Sequence, residues 1–86
     1  MKSLSLENLQ NDKAEYEKQQ PEFALIRAMI DTRIRRGLTQ EDLAEKVGTK
    51  QSVISRLESG RGNPTISFLK KLADAFSSRL EIRFIQ

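Results

Sequence analysis

The sequence lacks cysteine and histidine, two residue types that are common in metal sites and active sites. Without cysteine, the chain has no disulfide, no thiolate nucleophile and no cysteine-based metal site. Without histidine, it lacks the commonest metal ligand and the commonest general base. A catalytic site would have to use carboxylates, lysines, hydroxyls or the one tyrosine. We therefore expect a protein that is not an enzyme and that needs no metal or other cofactor.

Long apolar runs are also missing. No stretch approaches the roughly 20 apolar residues of a membrane span, and the polar start from Met1 to Gln20 lacks the apolar core of a signal peptide. Two prolines and four glycines in 86 residues argue against a low-complexity chain. These features predict one small domain in the cytoplasm that does not enter a membrane.

The charges are divided unevenly along the chain. Residues 1–22 hold three lysines and five acidic residues, which gives −2, whereas residues 23–86 hold twelve basic and seven acidic residues, which gives +5. A basic body behind an acidic leader indicates that the body binds a polyanion.

Four amphipathic stretches predict four helices after the polar leader, which Pro21 closes. The first helix runs from about Glu22 to Arg36, and the others begin after Thr39, Thr49 and Thr65. The apolar positions that predict their core faces are Phe23, Ile26, Ile30 and Ile34; Leu43, Ala44 and Val47; Val53, Ile54 and Leu57; and Ile66, Leu69, Leu72, Ala73 and Phe76.

The second and third predicted helices are short and are separated by Gly48, as in a helix-turn-helix. A capping box of Thr39 and Asp42 starts the second helix, and the small Ala44 lets the two helices approach closely. The outward positions of the third helix hold no acidic residue, and each side chain there can donate a hydrogen bond. These positions are Lys50, Gln51, Ser52, Ser55 and Arg56. Because Gln pairs with adenine and Arg or Lys with guanine in the major groove, the pattern predicts a DNA-reading helix.

Other interpretations of these side chains stay open on the residues alone. Gln51 and Ser52 also fit ordinary solvated positions. Arg56 fits a phosphate contact as well as a base contact, and Arg61 stands in a loop where it need not contact DNA. A small hydrolase or nuclease would use acids of the second helix, but no basic or nucleophilic residue stands at catalytic spacing from them. These acids are Glu41, Asp42 and Glu45.

A dense set of motif residues lies between residues 23 and 76. They are Gly37-Leu38-Thr39-Gln40, Leu43-Ala44, Val47-Gly48, Gln51-Ser52, Ile54-Ser55-Arg56-Leu57-Glu58, Gly60 and Asn63-Pro64. This region resembles the Cro/repressor-type helix-turn-helix family, also called xenobiotic-response-element regulators. The resemblance implies an all-α, lambda-repressor-like domain of four to five helices over residues 22–78, after a partly helical leader at 1–21. With the outward Ser55, the predicted DNA-binding residues are Gln40, Lys50, Gln51, Ser52, Ser55, Arg56, Arg61 and Asn63.

A longer stretch, from Glu15 to Thr65, together with the terminal "LEIRF", resembles HigA-type antitoxins. The resemblance is carried by the Tyr-and-Glu leader before Pro21-Glu22, the "GNPT" loop and the closing segment. It implies a protein that represses its own operon and neutralises a RelE/HigB-like ribonuclease toxin. The predicted toxin-binding residues are Leu6, Leu9, Tyr16 and Phe23. The leader's apolar side chains fit a fold back onto the core as well, and the alternative function is a free-standing repressor without a toxin.

Two opposite charges stand at inward positions of packed helices. Arg33 shares a face with Ile26 and Ile30, and Glu58 lies one turn after Ile54. An unpaired buried charge is very costly, so we expect a salt bridge between Arg33 and Glu58 that joins the first and third helices. The family resemblance supports the same pair.

The end of the chain changes from a helical to an alternating period. Leu80, Ile82 and Phe84 alternate with Glu81 and Arg83, which is typical of a half-buried strand. A lone strand leaves its backbone groups unpaired, so we expect residues 79–86 to pair with a second copy. The homodimer would present two recognition helices about 34–36 Å apart to a palindromic operator in double-stranded DNA. The alternative is a frayed tail.

Overall fold

The computed structural model describes residues 21–86, which fold into four α-helices. They are α1 (Pro21–Arg35), α2 (Gln40–Val47), α3 (Gln51–Glu58) and α4 (Ile66–Ala75). The prediction of a helical domain with a helix-turn-helix is confirmed. The expectations for the leader at residues 1–20 lie outside the described residues.

Helix α1 begins at Pro21, where the missing N–H of proline costs nothing because the first turn has no acceptor for it. Its buried residue is Met29, and Leu25 packs beside it. The predicted core face is wrong at Ile34, which is 60% exposed. At 3.6 residues per turn, a position five residues after Met29 lies about 140° around the helix. Arg33, four residues after Met29, lies only about 40° away and so faces inward.

The capping box of α2 is confirmed. The Oγ1 of Thr39 accepts from the Asp42 N–H at 2.9 Å, and the Asp42 carboxylate accepts from the Thr39 N–H at 3.0 Å. These bonds, chiefly the one from the Thr39 backbone, lower the pKa of Asp42 below its ordinary value. Helix α2 ends at Gly48, whose φ of +86° lies in the left-handed region that glycine adopts without strain.

Helix α3 begins differently from the prediction. Its N-cap is Lys50, without a side-chain cap bond, so the cap predicted at Thr49 is wrong. The N–H of Thr49 donates to the Ala44 carbonyl at 2.9 Å, so this residue completes the end of α2 instead. The cap predicted at Thr65 is confirmed, because its hydroxyl accepts from the Phe68 N–H at 3.0 Å.

The core sits where α2 crosses α3 and α4, with α1 packed against α3. Its two largest fully buried side chains are Leu43 and Ile54, which lie on facing sides of the helix-turn-helix. Ala44, also buried, keeps the crossing close. The remaining buried apolar residues are Met29, Leu57, Leu72 and Phe76.

The C-terminal tail corrects a third expectation. Residues 21–86 contain no β-strand, so the strand expected at Leu80, Ile82 and Phe84 is wrong for the single chain. A strand exists only when a neighbour accepts and donates its backbone hydrogen bonds, and the described part of this chain has no such neighbour. Leu80 is half-buried, but Ile82 is 59% and Phe84 97% exposed.

Arg33 and Glu58 join α1 to α3 through two hydrogen bonds. The Arg33 Nε donates to one carboxylate oxygen of Glu58 at 2.7 Å, and Nη2 donates to the other at 3.1 Å. A third bond, from Nη1 to the Leu38 carbonyl at 2.9 Å, ties the turn between α1 and α2 to the same side chain. The two charged side chains are only 14% and 6% exposed. The pair therefore connects three parts of the domain in a place that water barely reaches.

We predict that Glu58→Ala destabilises the domain by about 3–5 kcal/mol, because it leaves the Arg33 guanidinium buried without its counter-charge. The matched control is Asp31→Ala. Asp31 is 59% exposed and its carboxylate lies 3.9 Å from Arg27 Nη2, so its removal should cost about 1 kcal/mol or less. Urea unfolding followed by circular dichroism measures both. Equal losses in the two variants would contradict the prediction.

Candidate nucleic-acid interface

Helix α3 buries one face and presents the other to solvent. Ile54 and Leu57 are buried against the core, while the predicted contact residues Lys50, Gln51 and Ser52 are exposed at the beginning of the helix. One turn later Arg56 is exposed and Ser55 is half-buried. The exposed face is therefore polar and contains two positive charges and no negative one.

A hydrogen bond between two amides joins the beginnings of α2 and α3. Gln51 Nε2 donates to Gln40 Oε1 at 2.7 Å. The half-buried Gln40 in turn donates from Nε2 to Glu58 Oε1 at 3.0 Å. The exposed side chain of Gln51 is thus connected to the buried ion pair through a single intermediate residue.

Sequence reasoning missed this connection, although the sequence contains a signal for it. Gln51 and Glu58 are seven residues apart, or two turns, and so share a face of α3. Gln40 is the first residue of α2, as Gln51 is of α3. The glycine turn between two short helices brings these two beginnings together.

The loop between α3 and α4 brings two further predicted residues next to Arg56. Arg56, Arg61 and Asn63 line one cavity, whose apolar lining includes Val53 and Phe68. The Nε of Arg61 also donates to the Ser59 hydroxyl at 3.3 Å. Two arginines therefore line the cavity, and one of them, Arg56, is also exposed on α3.

Gly62 keeps this loop close to α3. Its φ is +148°, and a Cβ built there would lie 3.1 Å from Leu57 Cδ2. Any larger residue would press on a buried leucine and also adopt an unfavourable backbone conformation. The glycine thus holds Arg61 and Asn63 beside α3.

The other predicted sites lie elsewhere. Phe23 is half-buried and lines a groove between α1 and the loop, together with Asn63 and Pro64. Leu6, Leu9 and Tyr16 lie outside the described residues. The tail residues predicted for dimerisation follow α4 in the sequence and are not part of α3. They are Leu80, Ile82 and Phe84. Two of the three are exposed.

The acids considered for a hydrolase lie on α2. Asp42 is engaged in the cap, and Glu41 and Glu45 are exposed. Within residues 21–86 we find no group of acidic side chains placed to hold a metal ion. None of the helices in this range has the length and apolar character to cross a membrane.

Comparison with known proteins places the chain in a family. Residues 29–82, more than half of the chain, match the family described as helix-turn-helix. An uncharacterised HTH-type transcriptional regulator of Archaeoglobus fulgidus is 43% identical over 53 residues, which cover 62% of this chain and 76% of the relative. Another, from Haemophilus influenzae, is 37% identical over 59 residues, or 69% of this chain and 60% of the relative. No solved structure gives a significant match. The chain therefore belongs to the Cro/C1-type helix-turn-helix family of DNA-binding transcription regulators.

Proposed function

We propose that this protein is an antitoxin that represses its own operon through sequence-specific DNA binding and neutralises a RelE/HigB-like ribonuclease toxin. DNA binding is the part of the proposal that the geometry supports most directly. The observation that carries it is the exposed polar face of α3, whose first residue, Gln51, is held by Gln40 at 2.7 Å.

The major groove of DNA admits an α-helix, and a recognition helix contacts base edges with its N-terminal residues. In α3 those residues are Gln51 and Ser52. Arg56 follows Ser52 by one turn and is also exposed. Phosphate contacts orient such a helix without reading sequence. For that role the chain offers Gln40, Lys50, Ser55, Arg61 and Asn63.

We predict that Gln51→Ala weakens binding to the preferred duplex by about 1–3 kcal/mol and relaxes the preference at one base pair. The duplex is first selected from a randomised pool by the wild-type protein, and affinities are then measured by fluorescence anisotropy. Lys70→Ala is the control, because Lys70 is exposed on α4 and lies outside the predicted interface. The recognition-helix assignment fails if Gln51→Ala and Arg56→Ala, combined in one protein, leave the affinity unchanged.

We also propose that the protein is a homodimer held by its tail. Ile82, Phe84 and Ile85 are 59%, 97% and 87% exposed, and three large apolar side chains in one short segment are costly to leave in water. Burial against a second copy would remove that cost. It would also help a small domain, whose own core buries limited surface. A two-fold dimer would suit a palindromic operator.

We predict that a chain ending at Ser78 is monomeric in sedimentation velocity and loses affinity for the selected duplex. Phe84→Ser tests the same interface with less effect on the fold than the truncation has. Its side chain is 97% exposed in the single chain and therefore contributes little to folding. Circular dichroism checks that both variants remain helical. If both stay dimeric, another surface forms the dimer.

The toxin is proposed to bind the leader together with the start of α1. The family match begins only at residue 29, so the leader and Phe23 lie outside the part that this chain shares with the family in general. The leader contains Leu6, Leu9 and Tyr16 in a polar, net acidic stretch. Apolar side chains in such a segment can dock in a groove of a partner, and an RNA-cleaving toxin presents a basic surface that suits the acidic charges.

We predict that deletion of residues 1–18 leaves thermal stability and DNA affinity almost unchanged but weakens toxin binding. The partner is the small protein that co-purifies with this chain from the native host, and neutralisation is measured by the ribonuclease activity of that protein in the presence of increasing amounts of antitoxin. Neutralisation at an unchanged stoichiometry would show that the folded domain carries the toxin-binding surface.

A free-standing repressor is the second candidate, favoured by relatives that are named simply as HTH-type transcriptional regulators. It would use the same DNA surface. The two functions differ in one observation: an antitoxin purified from its native host carries a small basic protein in stoichiometric amount, and a free-standing repressor does not.

A further inference from the structure

We propose that Glu58 is a positioning residue for DNA readout, which acts through Gln40 to fix the orientation of the Gln51 amide. The inference rests on the proposed DNA-binding function of α3. It concerns a side chain that is 6% exposed and that would otherwise be assigned only to stability.

The first step is the chemistry of the carboxylate. An ionised carboxylate accepts hydrogen bonds and donates none. The guanidinium of Arg33 has donors and no acceptor, and it donates to both oxygens of Glu58, at 2.7 and 3.1 Å. Glu58 is therefore held as an acceptor in one place, and any further neighbour must bring a donor to it.

The second step is the orientation of Gln40. An amide has one donor end and one acceptor end, and a half-turn about its last bond exchanges them. Since Glu58 Oε1 accepts, Gln40 must present Nε2 to it, and this bond measures 3.0 Å. The acceptor end, Oε1, is then directed to the beginning of α3.

The third step repeats the same constraint at Gln51. Facing an acceptor, its amide must present Nε2, and the bond measures 2.7 Å. One N–H and the whole of Oε1 remain for DNA. Adenine offers N7 as acceptor and the N6 amino group as donor. For a given position of α3 in the major groove, both hydrogen bonds form only if the Gln51 N–H faces N7 and Oε1 faces the amino group.

Gln51 itself is exposed, so its hydrogen bond to Gln40 rather than burial sets the orientation of its amide. The buried ion pair supplies the missing constraint through two hydrogen bonds. Without it, the Gln51 amide would populate both orientations, and a base with the opposite pattern would be tolerated more readily.

Two substitutions in the full-length protein separate positioning from stability. Glu58→Gln replaces the obligate acceptor by an amide that can face either way, so the constraint on Gln40 and Gln51 is lost. Arg33→Lys weakens the forked ion pair as well, but it retains the Glu58 carboxylate and therefore the constraint. Thermal melts give the stability of each variant, and binding is measured at a temperature where both are fully folded.

The readout is the ratio of affinities for the selected duplex and for duplexes changed at the base pair read by Gln51. We expect Glu58→Gln to reduce this ratio by about tenfold, within the discrimination that one bidentate pair provides, and Arg33→Lys to preserve it. In a Gln51→Ala background, Glu58→Gln should have no further effect on the ratio, because coupled residues give non-additive changes.

The same experiment distinguishes the two ways of failing. If the wild-type protein selects no preferred duplex from the randomised pool, the proposed DNA-reading function is wrong. If it does select one, and Glu58→Gln retains the full ratio or changes it equally with and without Gln51, then Glu58 stabilises the fold alone and the positioning role is overturned.

Discussion

The fold depends on the neutralisation of one buried charge, that of Arg33. The Arg33 guanidinium lies on the inward side of α1 and is 14% exposed, so its charge must be balanced by the protein itself. Glu58 provides the balance from the end of α3, and the Leu38 carbonyl takes a third donor. The ion pair thereby fixes the orientation of α1 relative to the helix-turn-helix. Apolar packing alone does not specify that orientation, because few side chains of this small domain are fully buried.

The close crossing of α2 and α3 is the second constraint. Ala44 is buried at the crossing and gives the carbonyl that accepts from both Gly48 and Thr49. The left-handed conformation of Gly48 then turns the chain sharply enough for α3 to begin three residues later. This turn brings Gln40 and Gln51 within hydrogen-bonding distance, so the compact packing of the core also determines the geometry of the exposed face.

Local chemistry was the part of the fold that the sequence predicted best. The caps at Thr39 and Thr65 depend on residues three positions apart, and both formed. At Thr49 two local patterns compete, because the end of α2 at Gly48 uses the Thr49 N–H, and the N-cap of α3 falls on Lys50 instead. Ile34 was mispredicted because Ile26, Ile30 and Ile34 are spaced by four residues. Each such step turns about 40° around the helix, so the last of them no longer shares the face of Met29.

The remaining errors and omissions involve partners that are distant in the sequence or absent from the single chain. The alternation of the tail is real in the sequence, but a strand requires a second strand. The bond between Gln40 and Gln51 depends on the relative placement of two helices. Its direction depends in turn on a carboxylate two turns away, and residue patterns contain no information about which way an amide faces.

The hydrogen-bonded chain includes Gln51 but not its neighbour Ser52, and this difference has an evolutionary consequence. A mutation at Ser52, which is exposed, changes the proposed DNA-reading face of α3 without removing a hydrogen bond to Gln40 or Glu58. A mutation at Gln51 leaves Gln40 without the donor that it faces. Related regulators that diverge to new operators are therefore expected to vary freely at the position of Ser52, and to change the two glutamines together or not at all.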